Sequence, residues 1–351
     1  MVGRPVRAAA ALDGPLGPAL APLGWLWSAV SRLRAAAWRR GLFRAHRPPM
    51  PVLSLGNLAA GGTGKTPLLL DTVARLERRG FRAGVLSRGY GGDEGRILRR
   101  RHPDCLLAED PDRVRALQQF LAVGPPEILL LDDGFQHFRL ERDLDVVLID
   151  ATRPFGRCLP AGLFREPPAA LRRADLVVLS RAELVPPGRR EEIWRRVEAV
   201  RSGLPPLPRI EGGVRAAGLR SVATGAEEPP AAVAGRRWHL AAGIGNPDSF
   251  RALVERLGGE VASTEFRPDH HAWTRAEIEA WAGRAPVLVT EKDAVKLQGE
   301  TPDEVWELRV DWVFARGEEE WETRLDGLVL PVRAARIEPL WSAVDPRGGQ
   351  P

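Results

Sequence analysis

Lys65 and Thr66 close a glycine-rich run, G-G-T-G-K-T at 61 to 66, shortly after the apolar segment Pro51 to Leu55. A buried parallel strand that feeds such a run and then a helix makes a cradle for phosphate. Glycine lets backbone N–H groups approach an anion, the helix start adds a favourable dipole, Lys65 neutralises terminal phosphate charge, and the Thr66 hydroxyl can ligate Mg²⁺. Ala59, Ala60, Gly61, Gly62, Thr63, Gly64, Lys65 and Thr66 fit G-x-x-x-x-G-K-[ST] except for Ala59 in the first place, and all eight are expected at the phosphates.

Acidic residues supply the complement. Asp132 and Asp133 end the run L-L-L-D-D at 129 to 133, and an acidic residue ending a strand beside the cradle holds Mg²⁺ directly or through water. Because the two are adjacent, only one points straight at the metal. Asp93, in S-R-G-Y-G-G-D-E at 87 to 94, is a candidate general base, although an aspartate after two glycines more often serves a turn. R-P-D-H-H at 267 to 271 offers a histidine to pair with such a carboxylate across a cleft, or simply a cap for a helix starting near Thr274. Arg165 and Glu166 read as a phosphate clamp and the carboxylate that steadies it, or as a surface ion pair. G-I-G-N-P at 243 to 247 and V-T-E-K-D-A-V-K at 289 to 296 sit at strand ends without an assigned role.

The elements that must position these residues follow from periodicity. Continuous apolar runs at 82 to 87, 127 to 132, 144 to 150 and 174 to 180 alternate with helical stretches, beginning with Pro67 to Arg79. That alternation predicts an α/β fold, a parallel sheet covered on both faces, with ligands at the C-terminal strand ends. Proline-rich breaks at 203 to 208 and 227 to 232 bracket an extended link. A second, smaller α/β unit follows, with strands near 238 to 242, 286 to 290 and 305 to 310 and helices near 247 to 257 and 274 to 282. The domains expected are an N-terminal basic segment 1–48, a cradle domain 49–207, a link 208–235, the smaller unit 236–335 and a tail 336–351.

Between Asp13 and Asp71 there is no acidic residue. Leu23, Leu26, Trp27, Val30, Leu33, Ala37 and Trp38 recur there at helical spacing with arginines on the other face. Arginines in its second half argue against a membrane span, and charges that follow the apolar region argue against a signal peptide. Such a helix suits the interface of an anionic leaflet or a docking site on its own domain. Elsewhere the chain, 351 residues with 44% apolar and 28% charged content, has the composition of a soluble globular protein with room for two cores. Net charge is +5, and only Lys65, Lys292 and Lys296 among the 51 basic residues are lysines. Two cysteines give neither a disulfide framework nor a metal spacing.

Six segments in this order resemble the tetraacyldisaccharide 4'-kinases of lipid A biosynthesis over nearly the whole chain. They are S-L-G-N-L-A-A-G-G-T-G-K-T-P, S-R-G-Y-G, D-D-G-F-Q-H, L-P-A-G-L-F-R-E-P, D-H-H and T-E-K-D. The resemblance implies a P-loop NTPase-like domain and a second α/β domain joined by a short two-stranded link. It implies phosphoryl transfer from Mg-ATP to the 4'-hydroxyl of an acylated glucosamine disaccharide 1-phosphate, giving lipid IVA, at the cytoplasmic face of the inner membrane and without a nucleic-acid partner. Carried over by position, Lys65 and Thr66 look like phosphate and Mg²⁺ ligands, Asp132 and Asp133 like the acidic pair at the metal, and Arg165 with Glu166 like active-site loop residues. Asp93 looks like the general base and His270 like its partner. The competing reading is a membrane-associated P-loop switch ATPase. Ala60 stands where the related ATPases carry a signature lysine, and no N-K-x-D is present to select guanine.

Overall fold

The computed structural model describes residues 16–89, 92–281, 283–297 and 301–342. Tyr90 and the last part of the expected tail, 343–351, lie outside them. The strands are β1 (Val52–Asn57), β2 (Ala83–Ser87), β3 (Leu106–Glu109), β4 (Ile128–Asp132), β5 (Leu144–Asp150), β6 (Leu176–Ser180), β7 (Ile210–Ser221), β8 (Glu227–Glu228), β9 (Arg237–Ala242), β10 (Glu260–Phe266), β11 (Val287–Thr290) and β12 (Val305–Arg316). The helices are α1 (Leu16–Ala19), α2 (Ala21–Arg39), α3 (Lys65–Arg78), α4 (Asp93–Arg101), α5 (Arg113–Val123), α6 (Pro187–Val200), α7 (Pro247–Arg256), α8 (Arg275–Glu279), α9 (Glu291–Ala294) and α10 (Glu318–Ser342).

One mixed sheet runs in the order β10-β9-β11-β12-β7-β6-β5-β1-β4-β2-β3, with β8 paired to β7. From β3 to β7 every pairing is parallel, as it is from β10 to β12. The apolar runs of β1, β5 and β6 are buried throughout because helices cover both faces. Strand alternation divides them: Leu53, Leu55 and Leu130 join one core with Leu68 and Leu76 of α3, while Val52, Leu129 and Leu131 join another with Leu117 and Phe120 of α5.

Within the sheet the two parallel blocks are joined by the long antiparallel ladder β7–β12. β6 pairs with the start of β7, at Ile210 and Glu211, and β11 with the start of β12, at Val305 to Leu308. Each block is therefore attached at one end of the ladder with its C-terminal strand ends aimed at the ladder's middle. Two sets of C-terminal ends, the usual location of ligands in such sheets, consequently face one another across a cleft floored by β7 and β12.

Two expected boundaries need correction. The chain does not stay in the second lobe to 335: Trp312, Trp321, Leu325, Leu328 and Val329 pack into the core that contains Leu53 and Leu68 of the first lobe. The ladder carries the chain back, and α10 is then clamped to α3 by Arg75 with Glu318 at 2.6 Å and by Arg79 with Asp326 at 3.0 Å. The expected tail is also helical as far as Ser342.

α2 docks by its small residues. Gly24 and Ala35 are buried, whereas Trp25 is 73% exposed and Leu26, Val30 and Leu33 are more than half exposed. The stripe thus divides: Leu23, Leu26, Val30 and Leu33 face away from the protein, whereas Ala37 and Trp38 are half-buried against it. The helix is also held by Trp27 Nε1, which donates to the Arg165 carbonyl at 2.8 Å, and by Trp38 stacked near Phe138. Among the described residues no helix is long and apolar enough to cross a membrane.

Candidate active site

The cleft holds a cavity of about 1080 Å³, lined from the first lobe by the glycine-rich run and from the second by residues 244–246, 268–270 and 290–292. α3 starts at Lys65 directly after Gly64, whose φ of +80° is a backbone position that a side chain would strain. The run is tied to two strand ends. Asn57 Nδ2 donates to the Thr63 hydroxyl at 2.8 Å, and Ser180 Oγ donates to the Thr63 carbonyl at 2.7 Å. Ala60 to Thr66 line the cavity, but Ala59 does not. Its backbone is bridged to Phe164 and it packs against the core beside Leu58, which anchors the start of the run.

Lys65 Nζ stands 3.3 Å from Asp133 Oδ1, and Arg165 Nη1 donates to Asp133 Oδ2. Burial would raise this carboxyl, but the two cations, Lys65 first, hold it well below the usual carboxylate range. Asp132 is pushed up to about 6 by burial, against the pull of Lys65, and its nearest hydroxyl partner, Ser87 Oγ, is a long 3.5 Å away. Both aspartates line the cavity, Asp133 through a left-handed backbone turn at φ +56°. Asp132 is thus the acid with coordination capacity to spare.

Arg165 and Glu166 separate. Arg165 faces the cavity and is steadied by Asp133, not by Glu166. Glu166 is 4% exposed and takes both terminal nitrogens of Arg173, at 2.6 and 2.8 Å, while Arg173 lies 3.9 Å over the Phe135 ring. The chain bends at both residues, and one side chain faces the cleft while the other faces the core. Contrary to the expectation for this pair, Glu166 neither steadies Arg165 nor lines the cavity.

Asp93 is the first residue of α4 and is 1% exposed. His270, from the opposite lobe, meets it with Nδ1 at 3.0 Å from Asp93 Oδ2. His271 turns the other way, to Glu277 at 3.1 Å and edge-on to Trp273. The adjacent histidines diverge because His270 adopts φ +61°. His270 lines the cavity and covers the acid.

The two segments without a sequence-derived role complete the second wall. Asp293, fully buried, accepts from the Gly243 N–H at 3.0 Å, from Trp273 Nε1 at 3.0 Å and from Thr290 Oγ1 at 2.6 Å, and pairs with Lys296 at 2.7 Å. It thereby holds the loop of Gly243 to Asn246 against the cradle. A Cβ on Gly245 would lie 2.4 Å from the Gly62 nitrogen, so only glycine permits this approach. Lys292 reaches Glu94 of the first lobe at 2.7 Å. A signal for these residues existed in the sequence: all three lysines of an arginine-dominated chain lie in or beneath this cleft.

A lysine-bearing glycine cradle at a parallel strand end, opposite paired aspartates and faced by a second lobe, defines an enzyme of the P-loop phosphotransferase class. The family model described as Tetraacyldisaccharide-1-P 4'-kinase matches residues 16–94 and 91–330. A tetraacyldisaccharide 4'-kinase of Anaeromyxobacter sp. (strain K) is 37% identical over 96% of this chain and 96% of its own length. One from Pseudomonas aeruginosa is 39% identical over 89% of this chain and 95% of its own. The crystal structure of the "apo" form of LpxK from Aquifex aeolicus in complex with ATP superposes with a TM-score of 0.71 at 27% identity, covering 90% of this chain and 99% of that one. The chain belongs to the tetraacyldisaccharide 4'-kinase family.

Proposed function

We propose that this kinase transfers the γ-phosphoryl group of ATP to the 4'-hydroxyl of an acylated glucosamine disaccharide 1-phosphate, with Lys65 at the phosphates and Asp93 with His270 at the acceptor hydroxyl. The observation that carries it is the bond between Asp93 and His270, made across the same cleft that Lys65 faces. The acceptor is an ordinary alcohol, poorly nucleophilic until its proton is drawn off. A positioned base is worth about 10² to 10⁴ in rate. Asp93 is the base that draws the proton off, and His270, the member of the pair that meets the cavity, holds and tunes that carboxylate.

On the donor side, Lys65 and the N–H groups of Gly61 to Thr66 grip the terminal phosphates and stabilise negative charge as it shifts during in-line transfer. Arg165 adds a second cation aimed at the same place. The donor atoms for a metal are all oxygen, namely the Thr66 hydroxyl and the carboxylates of Asp132 and Asp133, a set that suits Mg²⁺ completed by phosphate oxygens. Mg²⁺ bound there would neutralise phosphate charge and orient the β- and γ-phosphates.

The lipid reaches the cleft from α2, whose outward Trp25, Leu26 and Leu33 together with arginines suit an anionic membrane surface. This supports peripheral placement at the inner membrane. The switch-ATPase alternative has no use for a base assembled from two lobes. Incubation with radiolabelled ATP and disaccharide 1-phosphate is expected to label the lipid, with Lys65→Ala and Asp93→Ala each losing the product. ATP hydrolysis indifferent to lipid, without labelled product, would overturn the reading.

A further inference from the structure

Lys292 is a cation with no place in the chemistry above, yet it lies at the centre of the contacts between lobes. Its Nζ is 2.7 Å from Glu94 Oε1, 3.2 Å from Asp269 Oδ1 and 3.5 Å from His270 Nε2. Glu94 follows Asp93 at the start of α4, and Asp269 precedes His270. One ammonium group therefore touches a neighbour in sequence of each member of the Asp93–His270 pair, and the histidine itself. Its side chain is 17% exposed, and the two carboxylates hold its proton more firmly than burial alone would allow.

We infer that Lys292 is a positioning residue for the transfer reaction, which sets the orientation and tautomer of His270 and holds it against Asp93. The inference rests on the assignment of Asp93 and His270 given above. A cation facing Nε2 favours the lone pair on that nitrogen and so places the N–H on Nδ1, where it donates to Asp93. Asp269 Oδ2 is 3.8 Å from the same Nε2, beyond hydrogen-bond reach, and the other oxygen of that carboxylate is occupied by Lys292. Glu94 anchors the ammonium on the far side of the cleft, so the histidine is presented to Asp93 only when the lobes are together. A compact ammonium with three donors can serve three partners crowded within one small volume, whereas a planar guanidinium cannot turn to all of them. That accounts for lysine at this place in a chain whose other basic residues are nearly all arginine.

The test is a double-mutant cycle on the full-length enzyme with labelled ATP and disaccharide 1-phosphate. Lys292→Met is expected to lower kcat by about tenfold or more, a share of what a positioned base supplies, while KM for ATP stays within about twofold. In a His270→Ala background the same substitution is expected to cost nothing further, because Lys292 acts through that ring. Lys292→Arg is expected to restore the melting temperature but not kcat. Losses that multiply in the double variant, or a raised KM with unchanged kcat, would reduce Lys292 to a strut between lobes and overturn the inference. If His270→Ala and Asp93→Ala alone leave turnover intact, the assignment of the base itself falls, a separate outcome.

Discussion

His137 of D-D-G-F-Q-H illustrates how neighbours decide what a residue does. Its ring is driven down to about 4 by burial and then by the guanidinium groups of Arg113, Arg139 and Arg142. It stays neutral at pH values where an unfolded chain, with its ordinary 6.5, takes a proton. Between those two values the unfolded state binds more protons than the folded one, so stability falls as pH drops through that window. His137→Gln should flatten the decline, and urea midpoints measured from pH 7 to pH 4 check it. Identical slopes for both proteins would mean that other groups carry the acid sensitivity. The aspartates at 132 and 133 divide in a similar way, one paired with Lys65 and Arg165 and the other buried with a single long contact to Ser87 Oγ.

At the scale of elements, α2 joins the outer surface to the chemistry. Trp27 is 45% exposed and its indole holds the carbonyl of Arg165, whose guanidinium reaches Asp133 and, through it, Lys65. Trp27→Phe keeps an aromatic ring on the apolar face but removes the donor. Loss of one such bond is worth about 1 kcal/mol, so kcat is expected to fall by about fivefold while sedimentation with anionic vesicles is unchanged. Trp25→Ala should do the reverse, weakening vesicle binding without changing turnover on detergent-dispersed substrate. A Trp27→Phe enzyme with unaltered kcat would uncouple helix from cleft. α4 serves a similar joining role in the other direction: its acidic first turn and basic last turn, each favourable toward the helix dipole, both find opposite charges on the second lobe.

For the molecule as a whole, the question is what holds two blocks of sheet face to face. Beyond the β7–β12 ladder, Arg100 and Arg101 meet Glu291 at 2.9 and 2.6 Å, and Arg100 meets the fully buried Glu307 at 2.8 Å. Glu291→Gln would leave two partly buried guanidinium groups short of their acceptor, a loss of about 2 kcal/mol. A lower urea midpoint for the full chain, with greater protease sensitivity near the cleft, is the expected result; an unchanged midpoint would show that the ladder alone secures the lobes. Because the blocks are hung from opposite ends of one ladder, small changes in its twist would open or close the cleft, and the clamp at Glu291 opposes the opening.

Local residue order by itself determined the cradle, the buried strands and the basic amphipathic helix, because each depends on neighbours along the chain: glycine before lysine, apolar runs between turns, aromatic residues at helical spacing. The cluster D-H-H named two histidines without choosing between them, since both have the same immediate surroundings in sequence. Only the tertiary structure made the choice, through a left-handed backbone at His270 and a carboxylate 177 positions away. The same holds for Glu166, drawn to Arg173 and the core, for Lys292, which meets its partner Glu94 across the cleft, and for α10, returned to the first lobe by the ladder. Contacts between residues far apart in the chain depend on how the strands are ordered in the sheet, and no stretch of local pattern contains that order.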